Sequence, residues 1–350
     1  MNVDFFDQIS KAKEPYIIAE LGSNHNGDMK LAKELIDAAK EAGADCVKFQ
    51  SWTKDTIFSK KKYEENFFLA DDYRDRNDYT LEEIVDAFSI SENQLKEMSV
   101  YSRKIGIDCT STPFSKKEVD FLADELDVPF IKIASMDLDN YPFLEHIART
   151  GKPMVLSTGL SELHEIDKAV QTIESTGNKK LVILHCIASY PTEDENVNLN
   201  NIDMLKKLYP YPIGFSDHSL GFSISLASVA KGVCLIERHF TLDKQMFGWD
   251  HKVSVAPEEL KIIVKESKRI TKALGSYRIV CPEDETRKNE FRRSLVTTRT
   301  LKAGDKIGLE DIDAKRPGTG IPPGDIAYVK GRILKNDLGK DELIRWEDLI

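Results

Sequence analysis

Short apolar runs recur along this chain, each bounded by Gly, Pro or polar residues and each followed by a stretch with helical spacing. Eight can be counted: Tyr16 to Glu20, Asp45 to Gln50, Gly106 to Thr110, Pro129 to Ser135, Pro153 to Thr158, Leu181 to Cys186, Pro212 to Ser216 and Cys234 to Phe240. Between them lie amphipathic stretches such as Met29 to Ala42, Glu92 to Ile105, Lys116 to Leu126, Glu162 to Ser175 and Phe222 to Lys231. Near-continuous apolar strands separated by helices specify a parallel sheet covered on its outer face. Eight such units in about 260 residues predict an α/β fold, a closed (β/α)8 TIM barrel, over an open doubly wound sheet.

A barrel has a functional end. Each run finishes in polar residues: Glu20, Lys48 with Gln50, Ser111 with Thr112, Lys132 with Ser135, Ser157 with Thr158, His185, Ser216 with Asp217 and His218, and Glu237 with His239. Such groups converge on the mouth at the C-terminal ends of the strands, where barrel enzymes place their chemistry. The connection Ser51 to Ser91 is far longer than a usual βα loop and carries Tyr63, Phe67, Phe68, Tyr73 and Tyr79, so it reads as a lid.

At 350 residues the chain exceeds what one core supports, which predicts a barrel over 1–276, a polar linker over 277–288 and a small β-rich domain over 289–350. The small domain holds an internal echo, Gly304 to Ile312 against Gly339 to Leu349. The charge balance of 49 Lys+Arg against 59 Asp+Glu, −10 in all, with no basic arm, excludes nucleic acid and anionic membrane as partners. No run is long enough to span a bilayer and Met1 to Lys13 has no signal-like core, so a cytoplasmic protein is expected. The five cysteines have no CxxC spacing, and Cys46, Cys109, Cys186 and Cys234 read as reduced packing residues.

Lys48 and Lys132 sit within apolar strands, and a lysine inside a barrel needs an anion. With Thr112, Ser135, Ser157 and Ser216 on the same rim they form a ring of donors for a phosphate and a carboxylate. The competing reading is a structural ion pair with Glu20 or Asp137. His218 and His239 end consecutive strands about 5 Å apart, close enough to share one divalent ion. The competing reading there is two hydrogen-bonded core histidines.

Taken in order, these motifs resemble the sialic acid (N-acetylneuraminate) synthases and their legionaminate and pseudaminate relatives. The resemblance rests on Ile17 to Gly27, Val47 to Gln50, Ser111 to Phe114, Lys132 to Ser135, Leu156 to Gly159, Phe215 to Ser219 and Glu237 to Thr241. In the tail, Ala314 to Gly318 resembles the antifreeze-like (SAF) domain that ends these enzymes. The resemblance implies condensation of phosphoenolpyruvate with an open-chain N-acyl hexosamine, such as N-acetylmannosamine or a 2,4-diacetamido hexose, with release of phosphate. It implies that Lys48, Thr112, Lys132, Ser135, Ser157 and Ser216 hold phosphoenolpyruvate, with Lys48, Glu20 and Asp137 in catalytic roles. His218 and His239 would hold Mn²⁺, or Mg²⁺ or Co²⁺ in its place. Glu20, Gln50, Asp137, Tyr190 and Asp250 would face the sugar or the reacting carbonyl. It further implies a homodimer in which the small domain of one chain covers the barrel of the other and brings Arg316 to the sugar.

Departures from the family pattern stand at Asp137 (usually Glu), Ala188 (usually Asn or Thr) and Trp249 (usually Pro), all on the sugar side. Other classes remain: a metal-dependent barrel hydrolase, for which Asn24-His25-Asn26 offers one histidine where a His-x-His is needed, and a non-catalytic sugar-binding relative.

Overall fold

A computed structural model describes residues 4–66, 80–277, 279 and 282–350. Phe67, Phe68, Tyr73 and Tyr79 of the long connection, and Cys281, lie outside the described residues. Eight parallel strands form one sheet in the order β3-β2-β1-β8-β7-β6-β5-β4. They are β1 (Tyr16–Gly22), β2 (Cys46–Gln50), β3 (Asp108–Thr112), β4 (Ile131–Ile133), β5 (Met154–Ser157), β6 (Leu181–Cys186), β7 (Ile213–Asp217) and β8 (Leu235–His239). β3 and β4 close the circle without a regular ladder; Thr110 Oγ1 donates to the Phe130 carbonyl at 2.5 Å across that seam. The result is the nearly closed α/β barrel expected, with β3 shifted toward Thr112 and β4 trimmed to its central residues.

Strand parity sorts the side chains. Ile18, Cys46, Phe130, Val155, Val182, Leu184 and Leu235 form an inner cluster. Ile17, Ala19, Val47, Phe49, Ile131, Ile133, Leu156, Ile183, Phe215 and Ile236 belong to the outer cluster packed under the helices. Because side chains alternate with period two, Glu20, Lys48, Gln50, Thr112, Lys132, Ser157, Ser216, His218, Glu237 and His239 share the inner face, above that apolar floor. The helix Phe5–Lys11 closes the barrel bottom: Phe5 stacks on Phe130 at 4.3 Å and meets Tyr16 edge-on at 5.3 Å. Burying Phe5 and Ile9 contributes about 1.5–3 kcal/mol each.

The long connection after β2 contains the helices Lys54–Ile57, Lys60–Glu65 and Leu81–Phe88. The stretch Lys116 to Leu126, expected as one helix, begins as α-helix (Lys116–Asp120) and widens into a π turn (Phe121–Glu125). Among the described residues no helix is long and apolar enough to cross a membrane.

The chain divides into units Met1–Gly275 and Ser276–Ile350. The second has its own core of Leu295, Leu301, Ile307, Ile321, Val329, Leu334, Leu338 and Ile344. β9 (Ser294–Thr297) pairs antiparallel with β10 (Ile312–Lys315). The internal echo is visible as one device used twice. The 3₁₀ turns Leu309–Asp311 and Trp346–Asp348 are each closed by their last aspartate, which accepts from Gly308 N at 2.9 Å and from Arg345 N at 3.0 Å.

Candidate active site

The inner face carries a four-membered charge cluster. Lys48 Nζ is ion-paired with Glu20 Oε2 and donates to Thr112 Oγ1 at 2.9 Å. Glu237 stands between the lysines, 3.8 Å from Lys48 and 3.6 Å from Lys132. Lys132 Nζ donates to Ser157 Oγ at 2.7 Å, and Ser216 Oγ donates to Glu237 at 3.0 Å. All four charged side chains are at most 7 % exposed, so the dielectric that screens surface pairs is missing here.

Burial pushes the Glu20 carboxyl up to about 7, against the pull of Lys48. Burial acts the same way on Glu237, but Lys132 and Lys48 outweigh it and hold that carboxyl below its ordinary range. Burial would discharge both lysines. It lowers Lys132, whereas the Glu20 and Glu237 charges overcome it at Lys48 and raise that ammonium.

Two neighbours fix the rim. Trp52 Nε1 donates to Gln50 Oε1 at 2.9 Å, which orients the Gln50 amide so that Nε2 donates to Glu20 Oε1 at 3.0 Å. Ser135 Oγ accepts from Gly159 N at 3.0 Å and lies 3.6 Å from Cys186 Sγ. A Cβ on Gly159 would stand 2.7 Å from Ser135 Oγ and 3.1 Å from Ala188, so only glycine lets this backbone come so close.

His218 and His239 come together with ring centroids 5.4 Å apart, and Tyr190 lies over His218 at 4.2 Å and edge-on to His239 at 5.8 Å. His218 Nδ1 donates to the Ile187 carbonyl at 2.8 Å. Burial lowers both imidazoles. At His218 the Cys186 thiol, the Ile187 carbonyl and Glu237 reverse the effect; at His239 the charges of His218, Lys48 and Arg238 add to it and hold that ring neutral. The buried His239 Nδ1 has no hydrogen-bond partner and stands 3.6 Å from Asp250 Oδ2, whose carboxyl burial pushes up to about 6. An orphaned neutral nitrogen beside a second imidazole suits a divalent ion, since two ligand atoms at about 2.1 Å from one ion lie about 3.4 Å apart at the tetrahedral angle. Among the described residues no group of three or more His, Cys, Asp or Glu forms a cage, so the protein's share of such a site is the pair, with Asp250 beside it.

Nearly all the residues singled out in the sequence thus meet on one face of the barrel unit. Asp137 stands apart: it ends the 3₁₀ turn Ser135–Asp137, and its Oδ1 accepts from Asn140 Nδ2, just before the helix Tyr141–Arg149, at 3.1 Å. Arg316 belongs to the C-terminal unit, where its guanidinium lies over the Phe291 ring at 5.0 Å. Three contributors went unassigned in the sequence. Glu237 has the inward parity of Lys48 and was visible as a strand end. Cys186, expected to be a packing residue, faces Ser135 and His218 instead, because it has the same parity as Leu184. Trp52 gave no signal, because its role depends on a contact made by a loop.

Buried lysines and hydroxyls beside a histidine pair, gathered at the C-terminal mouth of an eight-stranded α/β barrel, are the arrangement of a barrel enzyme's site. The NeuB family matches residues 35–278 and the SAF domain matches residues 292–350; the chain belongs to the NeuB family. It is 43 % identical to an uncharacterized protein of Methanocaldococcus jannaschii, over 98 % of this chain and 96 % of that one. It is 38 % identical to the N,N'-diacetyllegionaminic acid synthase of Campylobacter jejuni, over 95 % of this chain and 99 % of that one. Among solved structures it resembles the N-acetylneuraminic acid (sialic acid) synthetase of Leptospira borgpetersenii serovar Hardjo-bovis in complex with citrate. That likeness has a TM-score of 0.69 and 34 % identity, and covers 79 % of this chain and 91 % of that one.

Proposed function

We propose that the protein is a nonulosonic acid synthase that condenses phosphoenolpyruvate with an open-chain N-acyl hexosamine and releases phosphate. The observation that carries this reading is the pairing of two buried lysines and a hydroxyl ring with two imidazoles, in a member of the NeuB family. The ammonium groups of Lys48 and Lys132, with Thr112, Ser135, Ser157 and Ser216, bind the phosphate and carboxylate and hold C3 toward the acceptor. C3 of phosphoenolpyruvate bonds to the aldehyde carbon, whose oxygen gains a proton. Water adds at C2, and the tetrahedral adduct expels inorganic phosphate to leave the 2-keto acid. Glu20, half-protonated near neutral pH and hydrogen-bonded to Gln50, is placed to hold or move a proton at its carboxyl oxygens. His218 and His239 would hold a divalent ion, Mn²⁺ or alternatively Mg²⁺ or Co²⁺, whose chemistry is polarisation of the aldehyde oxygen.

We assign Gln50, Tyr190 and Asp250 to the acceptor side, with Trp249 packed against Trp52 at 5.5 Å beside them, and Asp137 from the family pattern alone. Exposed apolar side chains at Met136, Leu160, Tyr190, Leu220 and Phe247 follow successive strand ends. They support a homodimer in which the C-terminal unit of a second chain, with Arg316, covers that rim. Nothing in the site favours a hydrolase: His25, the lone histidine of the β1 loop, is buried and accepts from Gly27 N at 3.0 Å.

Phosphate release from phosphoenolpyruvate tests the reading. It is expected only when N-acetylmannosamine or a 2,4-diacetamido hexose is supplied, and chelation or the His218→Ala, His239→Ala double variant should abolish it. Steady hydrolysis without sugar, or full activity after chelation, overturns the reaction or the ion respectively. Mixing Arg316→Ala with Lys48→Met subunits should restore part of the activity if the sites are shared between chains.

A further inference from the structure

We propose that Asp217 and Arg238, which face away from the reaction, are the positioning residues that set His218 and His239 against each other. The inference rests on reading that pair as ion ligands, and it concerns what holds them. β7 and β8 pair in parallel with Asp217 opposite Arg238. Alternation then points Ser216, His218, Glu237 and His239 inward and sends Asp217 and Arg238 to the outer face, toward the helix Ser223–Ala230.

The other strands fill that outer layer mostly with apolar side chains, among them Val47, Phe49, Ile133, Leu156, Ile183 and Ile236, with the uncharged His185 and Ser111 the polar residues there. Here instead stands an ion pair at 2.6 Å, with side chains 0 % and 1 % exposed, and Arg238 heads the largest side chains buried in the molecule. A buried pair is a poor stabilising device, because well-packed apolar residues of similar volume do as well or better. Its bonds show a different use. The Arg238 guanidinium donates through one nitrogen to the Ser219 carbonyl at 2.8 Å and the Gly221 carbonyl at 3.0 Å. Asp217 accepts from Ser219 N at 2.9 Å and Ser219 Oγ at 2.7 Å through one oxygen, and from Ser225 Oγ through the other.

The turn that begins with His218 is therefore tied from behind to the residue that precedes His239. Strand register aligns Asp217 with Arg238 but says nothing of the loop beyond, and the fork of the guanidinium extends the alignment by one turn. Without it, His218 would keep its bond to the Ile187 carbonyl but lose the fixed distance to His239.

The test is Mn²⁺ affinity, read from the loss of the free-ion EPR signal, in wild type, Arg238→Met, Arg238→Lys and Asp217→Asn, with phosphoenolpyruvate affinity measured without the ion on the same samples. Outer partners of metal ligands change affinity by about 10- to 100-fold. The expected result is a loss of that size for Mn²⁺ in Arg238→Met and Asp217→Asn, an intermediate loss in Arg238→Lys, and phosphoenolpyruvate affinity within about threefold of wild type throughout. If Arg238→Met does not fold, Asp217→Asn and Ser225→Ala carry the test. Unchanged Mn²⁺ affinity, or equal losses for Mn²⁺ and phosphoenolpyruvate, overturns the positioning role and leaves the ion site standing. A wild type that binds no Mn²⁺ overturns both.

Discussion

Lys48→Met removes the cation that faces both buried carboxylates. The side chain keeps its length, so packing is preserved and the electrostatics are isolated. Breaking a buried pair by deleting one partner costs about 3–5 kcal/mol, because the remaining charge has neither water nor counter-ion. At about 2 °C per kcal/mol for a unit of this size, the unfolding midpoint should fall by about 6–10 °C at pH 8. Glu20 can escape part of that penalty by taking a proton. Its carboxyl already titrates near 7 with Lys48 present, so without the lysine it moves higher and is neutral at pH 6. Between pH 8 and pH 6 the variant carboxyl stays protonated while the wild-type group titrates through about 7, a difference worth about 1.4 kcal/mol, so the deficit at pH 6 should be roughly two-thirds of that at pH 8. Adding Glu20→Gln should recover that difference at pH 8, leaving Glu237 with Lys132. Phosphoenolpyruvate at about 100 times its Kd should raise the wild-type midpoint by about 5 °C, from about 2.7 kcal/mol of linkage, and neither variant by more than about 1 °C. Differential scanning fluorimetry at both pH values decides it. A Lys48→Met protein that melts with wild type at pH 8 and still responds to phosphoenolpyruvate would refute the reasoning.

The raised Glu20 carboxyl also sets a pH dependence in the intact protein. The folded value lies above the ordinary 4.5, so its favourable contribution is complete below about pH 4.5 and is lost as pH rises through about 7; Glu20→Gln should flatten the midpoint over that window, and an unchanged slope would count against the assignment. Gly159→Ala places a methyl 2.7 Å from Ser135 Oγ, so KM for phosphoenolpyruvate should rise about 10-fold or more with kcat changed less, the size of one lost hydrogen bond to a charged group. Steady-state phosphate release measures it, and an unaltered KM would show that Ser135 does not touch the anion. Trp52→Phe keeps the ring against Trp249 but deletes the donor to Gln50 at 2.9 Å, which should lower kcat/KM for the sugar about fivefold and leave KM for phosphoenolpyruvate alone.

The barrel was legible because eight runs with buried faces on both sides admit few other solutions, and the inner face followed from parity at a few residues. Lys48 lies between Val47 and Phe49, and both of those pack outward, so the lysine had to point in. Parity does not supply register. With both faces buried, a strand can slide by two residues and keep its pattern, so which inward groups meet was hidden. The ladders place Glu20 opposite Lys48 on one side and His239 on the other, and Ser216 opposite Glu237. That level of detail decides that Glu237, and not Asp137, is the carboxylate between the lysines. The Phe5–Lys11 plug escaped notice for a related reason: its two buried residues, Phe5 and Ile9, are too few for a periodic signal, although they complete the floor.

Charge balance joins the two halves of the site. Two ammonium groups against two carboxylates leave the cluster close to neutral, so it offers a phosphorylated, carboxylated ligand hydrogen-bond donors but little net attraction. A proton on Glu20 would free Lys48 for the ligand, and its titration near 7 keeps that cost small at neutral pH. Positive charge held by the neutral His239, whose Nδ1 has no hydrogen-bond partner, and its neighbour His218 would supply the rest. Anion binding should therefore take up protons at and above the Glu20 titration near 7, where the free carboxyl is still ionised, and strengthen when Mn²⁺ is added. Calorimetry of phosphoenolpyruvate binding in two buffers of different ionisation enthalpy would detect the uptake, and its absence in Glu20→Gln would assign it.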